Sequence, residues 1–502
     1  MLHLCSLVLG ALLTFAYAPF DLWWLPFLVL PIWLWISHQF VERPFLNAWF
    51  FGLGFFGAGI SWVHVSIATF GGVPLIVSIL LMLLLCGYLA LFPAIFSYLL
   101  KRYFNVLLWP LAAPFIWMST EWLRAHFLTG FPWLSIGYTQ TSSPFKAFYP
   151  LIGEVGLSVV MILLAAVLTV AMVKRSLASI LSAATVYSVA AVSVFILSEQ
   201  AWVTPSGQSK TAALVQGNIE QSIRWRPEQD KPTMQKYIEL TEAHWQHDII
   251  IWPEAAVPRL EVLAIDYLQQ LDLMASKHNS ALITGIVDVN LESGEAYNKL
   301  IALGLNTPTE NTQPYQYPNQ NKFAKHHLLP IGEFVPFEAL LRPLAPIFDL
   351  PMSSFSRGGY VQDNLEAKGL QLSPAICFEI AFPKQIAANI TEQTDAIITV
   401  SNDAWFGDSH GPHQHLQIAR VRAMEFGLPV LRATNTGVTA AFDHEGEVLG
   451  ALPQFQAAVL SVEFELVDGT TPYFRLGNLP IIILCCLGIA FALRFRGNAK
   501  LA

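Results

Sequence analysis

Three short segments carry side chains whose types could together perform nucleophilic chemistry. Ile249-Ile250-Ile251-Trp252-Pro253-Glu254 puts a carboxylate just after an apolar run and a proline. Lys325-His326-His327-Leu328-Leu329-Pro330-Ile331-Gly332-Glu333 offers a lysine, two histidines and a second carboxylate. Pro374-Ala375-Ile376-Cys377-Phe378-Glu379 puts a thiol at the exit of another apolar run, with a third carboxylate two residues on. Taken singly, each has a plainer reading: a capping glutamate, a surface lysine, a cysteine filling a core. A thiol with a pKa of about 8.5 is only a few per cent ionised at neutral pH. An ammonium nearby, such as Lys325, lowers that pKa, and a carboxylate such as Glu254 can take the proton. The conjunction therefore predicts a cysteine nucleophile served by a base and a cation.

The other cysteines do not compete for this role. Cys5, Cys86, Cys485 and Cys486 lie in apolar segments, where a thiol behaves as a small hydrophobe, and no CxxC pair or disulfide framework is visible. His410, His413 and His415 fall within Asp-Ser-His-Gly-Pro-His-Gln-His. Without cysteine partners, and with Gly-Pro breaking the run, they read as a loop that starts a helix after His413 rather than as a metal site.

The reactive segments sit at the ends of β-like runs, where sites collect in layered α/β folds. Such runs are Ala212–Gln216, Asp248–Trp252, Ala281–Val287, Leu300–Leu303, Ser373–Cys377, Ala396–Val400, Pro429–Ala433, Val438–Phe442 and Ala457–Val462. Helical patterns at Lys231–His244, Leu263–Lys277 and His415–Phe426 alternate with some of them, which predicts an α/β layered domain over 205–470. The polar, Pro-rich stretch 305–322 reads as a loop.

The rest of the chain is of another kind. Of the 502 residues, 54% are hydrophobic and 13% charged, about half the charge usual in soluble domains. The deficit lies in residues 1–200 and at about 478–494. Apolar stretches at 2–18, 23–38, 45–64, 74–99, 106–122, 151–173, 177–197 and 478–494 predict eight membrane spans. Seven would make a domain over 1–198, and 478–494 would be the last span. Arg43, Lys101 with Arg102, Lys174 with Arg175, and the tail Arg494, Arg496 and Lys500 fall in alternate connections. The positive-inside rule puts those connections and both termini in the cytoplasm, and 198–477 outside. Arg124 is the exception. Ala16-Tyr17-Ala18 resembles a signal-peptidase site, but the start has no Lys or Arg and Pro19 follows, so the first span is read as retained. The aromatic-rich stretch 124–142 is expected to be a long outer loop lining a lipid path. Gly52, Gly54, Gly57 and Gly59 are expected to let helices pack closely. A net charge of −8 argues against nucleic acid as a partner.

These motifs resemble the nitrilase superfamily, and within it the apolipoprotein N-acyltransferases of the bacterial inner membrane. Trp-Pro-Glu-Ala-Ala at 252–256, Lys-His-His-Leu-Leu-Pro-Ile-Gly-Glu-Phe-Val-Pro at 325–336, Ile-Cys-Phe-Glu at 376–379 and Ser-Asn-Asp-Ala-Trp-Phe-Gly at 401–407 carry the likeness. Val-Gln-Gly-Asn at 215–218, Arg-Ala-Thr-Asn-Thr-Gly at 432–437 and Phe-Pro-Trp at 131–133 add to it. Phe378 stands where a tyrosine often follows the cysteine. The resemblance implies a four-layer αββα sandwich outside the cytoplasm, joined to a multi-pass helical membrane domain. It assigns Glu254 as general base, Lys325 as electrostatic stabiliser and Cys377 as nucleophile. Glu333 and Glu379 would support them, with Trp225, Asn298 and Phe378 lining the site. It implies a phospholipid acyl donor, a diacylglyceryl apolipoprotein acceptor, and neither cofactor nor metal. A mobile lid is expected around Leu340–Ser356. The competing enzyme reading is a membrane-tethered nitrilase or amidase acting on a soluble amide.

Overall fold

The computed structural model describes residues 1–39, 42–305, 314–330, 332–334 and 355–496. Two units are resolved: one holds Met1–Ala68, Val73–Trp202 and the described part of Thr471–Ala502; the other holds Thr69–Gly72 and Val203–Thr470.

Among its described residues the second unit holds thirteen strands: β1 (Val203–Gln216), β2 (Ile249–Ile251), β3 (Val257–Leu260), β4 (Ala281–Val289), β5 (Ala296–Leu303), β6 (Lys322–Ala324), β7 (Leu365–Ala367), β8 (Leu370–Ile376), β9 (Ala396–Ser401), β10 (Val430–Thr434), β11 (Ala440–Phe442), β12 (Val448–Ala451) and β13 (Ala458–Gly469). One sheet runs β13-β1-β2-β4-β5-β6, with β3 also paired to β4; the other runs β12-β11-β10-β9-β8-β7. Strand side chains alternate between faces, and the core divides accordingly. Ala212, Leu214, Ile249, Ile251, Ala281 and Ile283 pack with Leu372, Ile376, Ile398, Val400, Leu431 and Ala433 of the other sheet. Their sequence neighbours Ala213, Val215, Ile250, Trp252 and Leu282 face the other way, with Met234 and Tyr237 of helix Pro227–Thr241 and Leu268 and Leu271 of helix Ile265–Lys277. Helices Pro383–Asn389 and Gly411–Phe426 pack on the second sheet. The result is a helix–sheet–sheet–helix sandwich. Helix Gly411–Phe426 starts earlier than its sequence pattern indicates, because Pro412 is tolerated in the first turn.

The first unit is helical. Leu75–Tyr103, Pro144–Lys174 and Leu177–Ser198 are long and apolar enough to cross a membrane; Pro44–Gly59 with Val63–Thr69, bent by 62°, makes a fourth if counted as one span. Leu2–Ala16 and Leu479–Phe495 are apolar but shorter. Spanning takes about 20 residues of straight helix, so length and composition alone support three or four spans. Helices Leu2–Leu12 and Pro44–Gly59 cross closely: a Cβ on Gly54 would lie 1.9 Å from the Leu7 carbonyl oxygen. Gly52 and Gly59 are likewise crowded, whereas nothing lies within 4 Å of a Cβ at Gly57, so close packing does not explain that position.

The stretch 124–142 is not an open loop. Trp133, Leu134, Ile136 and Tyr138 are buried. Arg124 donates to the carbonyls of Phe131 (2.7 Å) and Trp133 (2.5 Å) and pairs with Glu121 at 3.5 Å. Its charge is buried and spent on this turn, which explains why it departs from the charge alternation of the exposed connections.

Candidate active site

The carboxyl ends of several strands deliver the reactive groups. Glu254 follows β2, Lys325 follows β6, Cys377 follows β8, and Asn402 follows β9, which runs parallel to β8. Both oxygens of the Glu254 carboxylate are engaged: Oε1 accepts from Asn298 Nδ2 at 2.8 Å and lies 3.4 Å from Lys325 Nζ, while Oε2 accepts the Asn402 backbone N–H at 3.0 Å. Lys325 Nζ is also 2.8 Å from the Glu333 carboxylate, which accepts from Asn298 Nδ2 at 3.1 Å and from the Leu329 N–H at 2.7 Å. One buried ammonium thus sits between two carboxylates, with Asn298 bridging both.

The electrostatics follow. Burial works against the Glu254 charge, but Lys325, Asn298, Arg224 and the Asn402 N–H outweigh it, and the carboxyl sits below its usual range. Burial likewise opposes the Lys325 charge, yet Glu333 and then Glu254 hold its pKa above the ordinary lysine value. Burial pushes the Cys377 thiol up to about 12; Glu254 adds to the rise, while Lys325 works against it. The expected lowering by Lys325 is therefore present but overcome, and the resting site holds a neutral thiol beside an ionised carboxylate. Cys377 is partly exposed and has φ +54°, the left-handed region a side chain adopts only when its surroundings hold it there.

The Glu379 carboxylate collects four donors. Its Oε1 accepts the N–H groups of His326 (2.8 Å) and His327 (3.0 Å) and Gln385 Nε2 (2.7 Å), and its Oε2 accepts the Ile376 N–H (2.9 Å). It ties the lysine segment to the cysteine segment through their backbones. Phe378 is buried and packs edge-on to Phe382, their ring centroids 5.0 Å apart. The Trp225 ring is exposed, and the Arg224 guanidinium lies 5.6 Å from it. Of the segment 340–356, expected to form a lid, Phe355 and Ser356 are placed, their N–H groups donating to Glu333 O (2.9 Å) and Ala296 O (2.7 Å); positions 335–354 lie outside the described residues. Among the described residues no cluster of three or more His, Cys, Asp or Glu is arranged to hold a metal ion.

Residues 9–167 match the apolipoprotein N-acyltransferase N-terminal domain, and residues 211–471 match carbon-nitrogen hydrolase. Apolipoprotein N-acyltransferase of Photobacterium profundum is 44% identical, with 94% of this chain and 90% of that one covered. The enzyme of Shewanella oneidensis is 45% identical over 96% and 93%, and that of Vibrio cholerae 44% over 100% and 98%. The chain belongs to the apolipoprotein N-acyltransferase family.

In this member of the apolipoprotein N-acyltransferases, several residues around the site act through backbone groups and were not singled out by type and spacing. Arg224 donates to the carbonyls of Glu254 and Ala255, holding a turn in which Ala255 has φ +44°. Asn435 closes the 216–221 segment onto the site: its Oδ1 accepts the Ile219 N–H and its Nδ2 donates to Asn402 Oδ1. Both asparagines lie in the quoted motifs at 401–407 and 432–437, the only signal that marks them.

Two predictions arise here. A Cβ on Gly285 of β4 would lie 2.3 Å from the Ala255 nitrogen and 2.7 Å from the Pro253 oxygen. Gly285→Ala should displace the Glu254 turn, lowering Tm by several degrees and activity by on the order of 10²-fold. An unchanged Tm and rate would show that the turn is not fixed by this strand. Lys325→Met should be worse, since it leaves Glu254 and Glu333 facing each other without a cation. Removing one partner of a buried pair costs about 3–5 kcal/mol, a Tm loss on the order of 10 °C. Calorimetry on the full chain reads it, and a loss below 2 °C would refute the pairing as a stabilising element.

Proposed function

We propose that the chain transfers an acyl chain from a membrane phospholipid, through a thioester on Cys377, to the α-amino group of the N-terminal diacylglyceryl-cysteine of an apolipoprotein. The observation that carries this reading is the gathering of a carboxylate, an ammonium and a thiol at the strand ends: Lys325 Nζ lies 3.4 Å from Glu254 Oε1 and 2.8 Å from Glu333, and Cys377, at the exit of β8, is close enough for both Glu254 and Lys325 to act on its thiol. As Sγ attacks the ester carbonyl, Glu254 takes the thiol proton. The oxyanion is met by the Lys325 ammonium and the Phe378 backbone N–H. The C–O bond then breaks, Glu254 returns the proton to the leaving lysophospholipid oxygen, and the acyl group remains on sulfur. The acceptor amine attacks the thioester; Glu254 takes its proton, and Cys377 leaves with it as the thiol. This is ping-pong covalent catalysis. Trp225, exposed and stacked on Arg224, is assigned to the substrate side of the site.

A membrane location has an energetic reason. Moving a sixteen-carbon chain into water costs roughly 12 kcal/mol, at about 0.8 kcal/mol per CH₂. An enzyme in the bilayer keeps that chain in hydrocarbon. The finer topology belongs to this proposal: eight spans, both termini cytoplasmic, and the sandwich on the outer, periplasmic side of the inner membrane. The charge alternation of the connections supports it.

The test is intact-mass analysis of the full chain incubated with phospholipid vesicles. An acyl mass that hydroxylamine removes is expected; a hydrolase of soluble amides would show no lipid-dependent adduct. The two halves should also differ in pH dependence. Glu254 stays ionised and Cys377 protonated between about pH 6 and 9, so adduct formation should be nearly flat there. Transfer should rise with pH up to about 8, where an α-amino group loses its proton. Single-turnover kinetics of each half check this, and an adduct rate rising tenfold per pH unit would contradict it.

A further inference from the structure

The carbonyl of Cys377 is held from behind. His415, on helix Gly411–Phe426, places Nε2 3.1 Å from the Cys377 oxygen. A carbonyl only accepts, so Nε2 carries the proton. The other ring nitrogen, Nδ1, lies 3.0 Å from Asp403 Oδ1 and 3.1 Å from Arg432 Nη2. Asp403 is fixed in turn: Oδ1 accepts from Ser401 Oγ at 2.6 Å and Oδ2 from Arg432 Nη2 at 2.6 Å. His415, Asp403, Ser401 and Arg432 are all fully or almost fully buried, and Phe406 packs edge-on to the imidazole at 5.9 Å. Neutral, Nδ1 accepts from Arg432; protonated, it donates to Asp403. In either state Nε2–H remains, so the bond to Cys377 does not depend on the ring's charge.

The peptide between Cys377 and Phe378 is a rigid plane in which C=O and N–H point in opposite directions. Fixing the Cys377 oxygen on one side therefore fixes where the Phe378 N–H points on the other. The geometry points to His415 as the positioning residue of the oxyanion site, aiming the Phe378 N–H by anchoring the Cys377 carbonyl, with Asp403 and Arg432 holding the imidazole. This rests on the reaction proposed above, and its test is chosen to separate the two.

The test uses the full chain in detergent with two acyl donors: mixed phosphatidylethanolamine–phosphatidylglycerol vesicles, and a short-chain nitrophenyl ester whose attack also makes an oxyanion but needs no lipid. A third probe, iodoacetamide, alkylates Cys377 without forming an oxyanion. A glutamine amide reaches nearly where His Nε2 lies; an asparagine amide does not. His415→Asn and His415→Ala should slow single-turnover acylation by about 100-fold, the loss of one oxyanion donor, with little change in the half-saturating donor concentration. His415→Gln should stay within about fivefold of the parent. Alkylation should change less than threefold throughout. The proposal is overturned if His415→Gln, folded by Tm, is as slow as His415→Asn. It is equally overturned if alkylation falls in step with acylation, if His415→Ala keeps its rate, or if the parent reacts with neither donor. Should His415→Asn or His415→Ala not fold, His415→Gln against the parent decides alone. A parent acylated by the ester but not by phospholipid would sink the lipid reading and leave this one to be judged on the ester.

Discussion

Replacing Cys377 with alanine is expected to abolish the phospholipid-dependent acyl adduct and reduce turnover by on the order of 10⁴-fold or more, while Tm moves by no more than a few degrees. The two halves of that statement have separate physical grounds. Turnover should be lost because the proposed thioester forms on Cys377. Cys86 and Cys485 are buried, and Cys5 and Cys486 are exposed within the helical unit, so none replaces the thiol between β8 and its following turn. Stability is kept because alanine meets the same φ of +54° that cysteine already tolerates, and Cys377 packs against the inter-sheet core rather than forming part of it. Serine should not rescue. The thiolate is the better nucleophile, and even the thiol needs Glu254 to remove its proton when its pKa is pushed to about 12. Peptide mapping after lipid exposure reads the result. An adduct surviving in Cys377→Ala, or mapping to another cysteine in the parent, would move the chemistry elsewhere.

How far the sequence reveals this site depends on the kind of contact each residue makes. Glu254, Lys325 and Cys377 are visible because their side chains are chemically distinctive, and Glu254 and Cys377 also follow apolar runs that end at the site. The strands Ala281–Val289 and Ala396–Ser401 are legible because, buried on both faces, they read as nearly continuous apolar stretches. The first half of β1 is not, because Thr204–Lys210 is largely exposed and polar. Its pairing comes from β13, more than 240 residues away, with Val203 opposite Gly469. β3, β6, β7 and β12 are three or four residues long, too short for a period to show. The hydrogen bonds of His415 and Arg224 were illegible because each is made to a backbone carbonyl, which leaves no trace in the type of residue it touches. Glu379 was legible as a neighbour of the site but not in its hydrogen bonds. Only the structure shows its two oxygens collecting four donors from two segments.

Glu254→Gln separates charge from shape in the same pocket, and the expected result is a fall in acylation of about 10³–10⁴-fold, near the upper end of what general-base removal costs. Glutamine has nearly the volume of glutamate but cannot take the Cys377 proton. It also cannot be accommodated silently. Both Glu254 oxygens are acceptors, Oε1 from Asn298 and Lys325 and Oε2 from the Asn402 N–H, so whichever way the amide is turned, its NH₂ faces a donor. An unsatisfied buried group of this kind costs about 1–3 kcal/mol, a Tm loss of several degrees. The pH dependence of that loss has a fixed sign. The folded-state pKa of Glu254 lies below its unfolded value, so its ionisation stabilises the fold above the unfolded pKa, near 4.3. That contribution disappears as pH falls through the lower, folded value. The parent and Glu254→Gln should therefore differ most in Tm near neutrality and converge on the acid side. Calorimetry at a series of pH values reads this directly. A Tm gap that is constant from pH 7 down to 3, or Glu254→Gln acylated at more than a tenth of the parent rate, would mean that the Glu254 charge neither drives the proton transfer nor is held by Lys325.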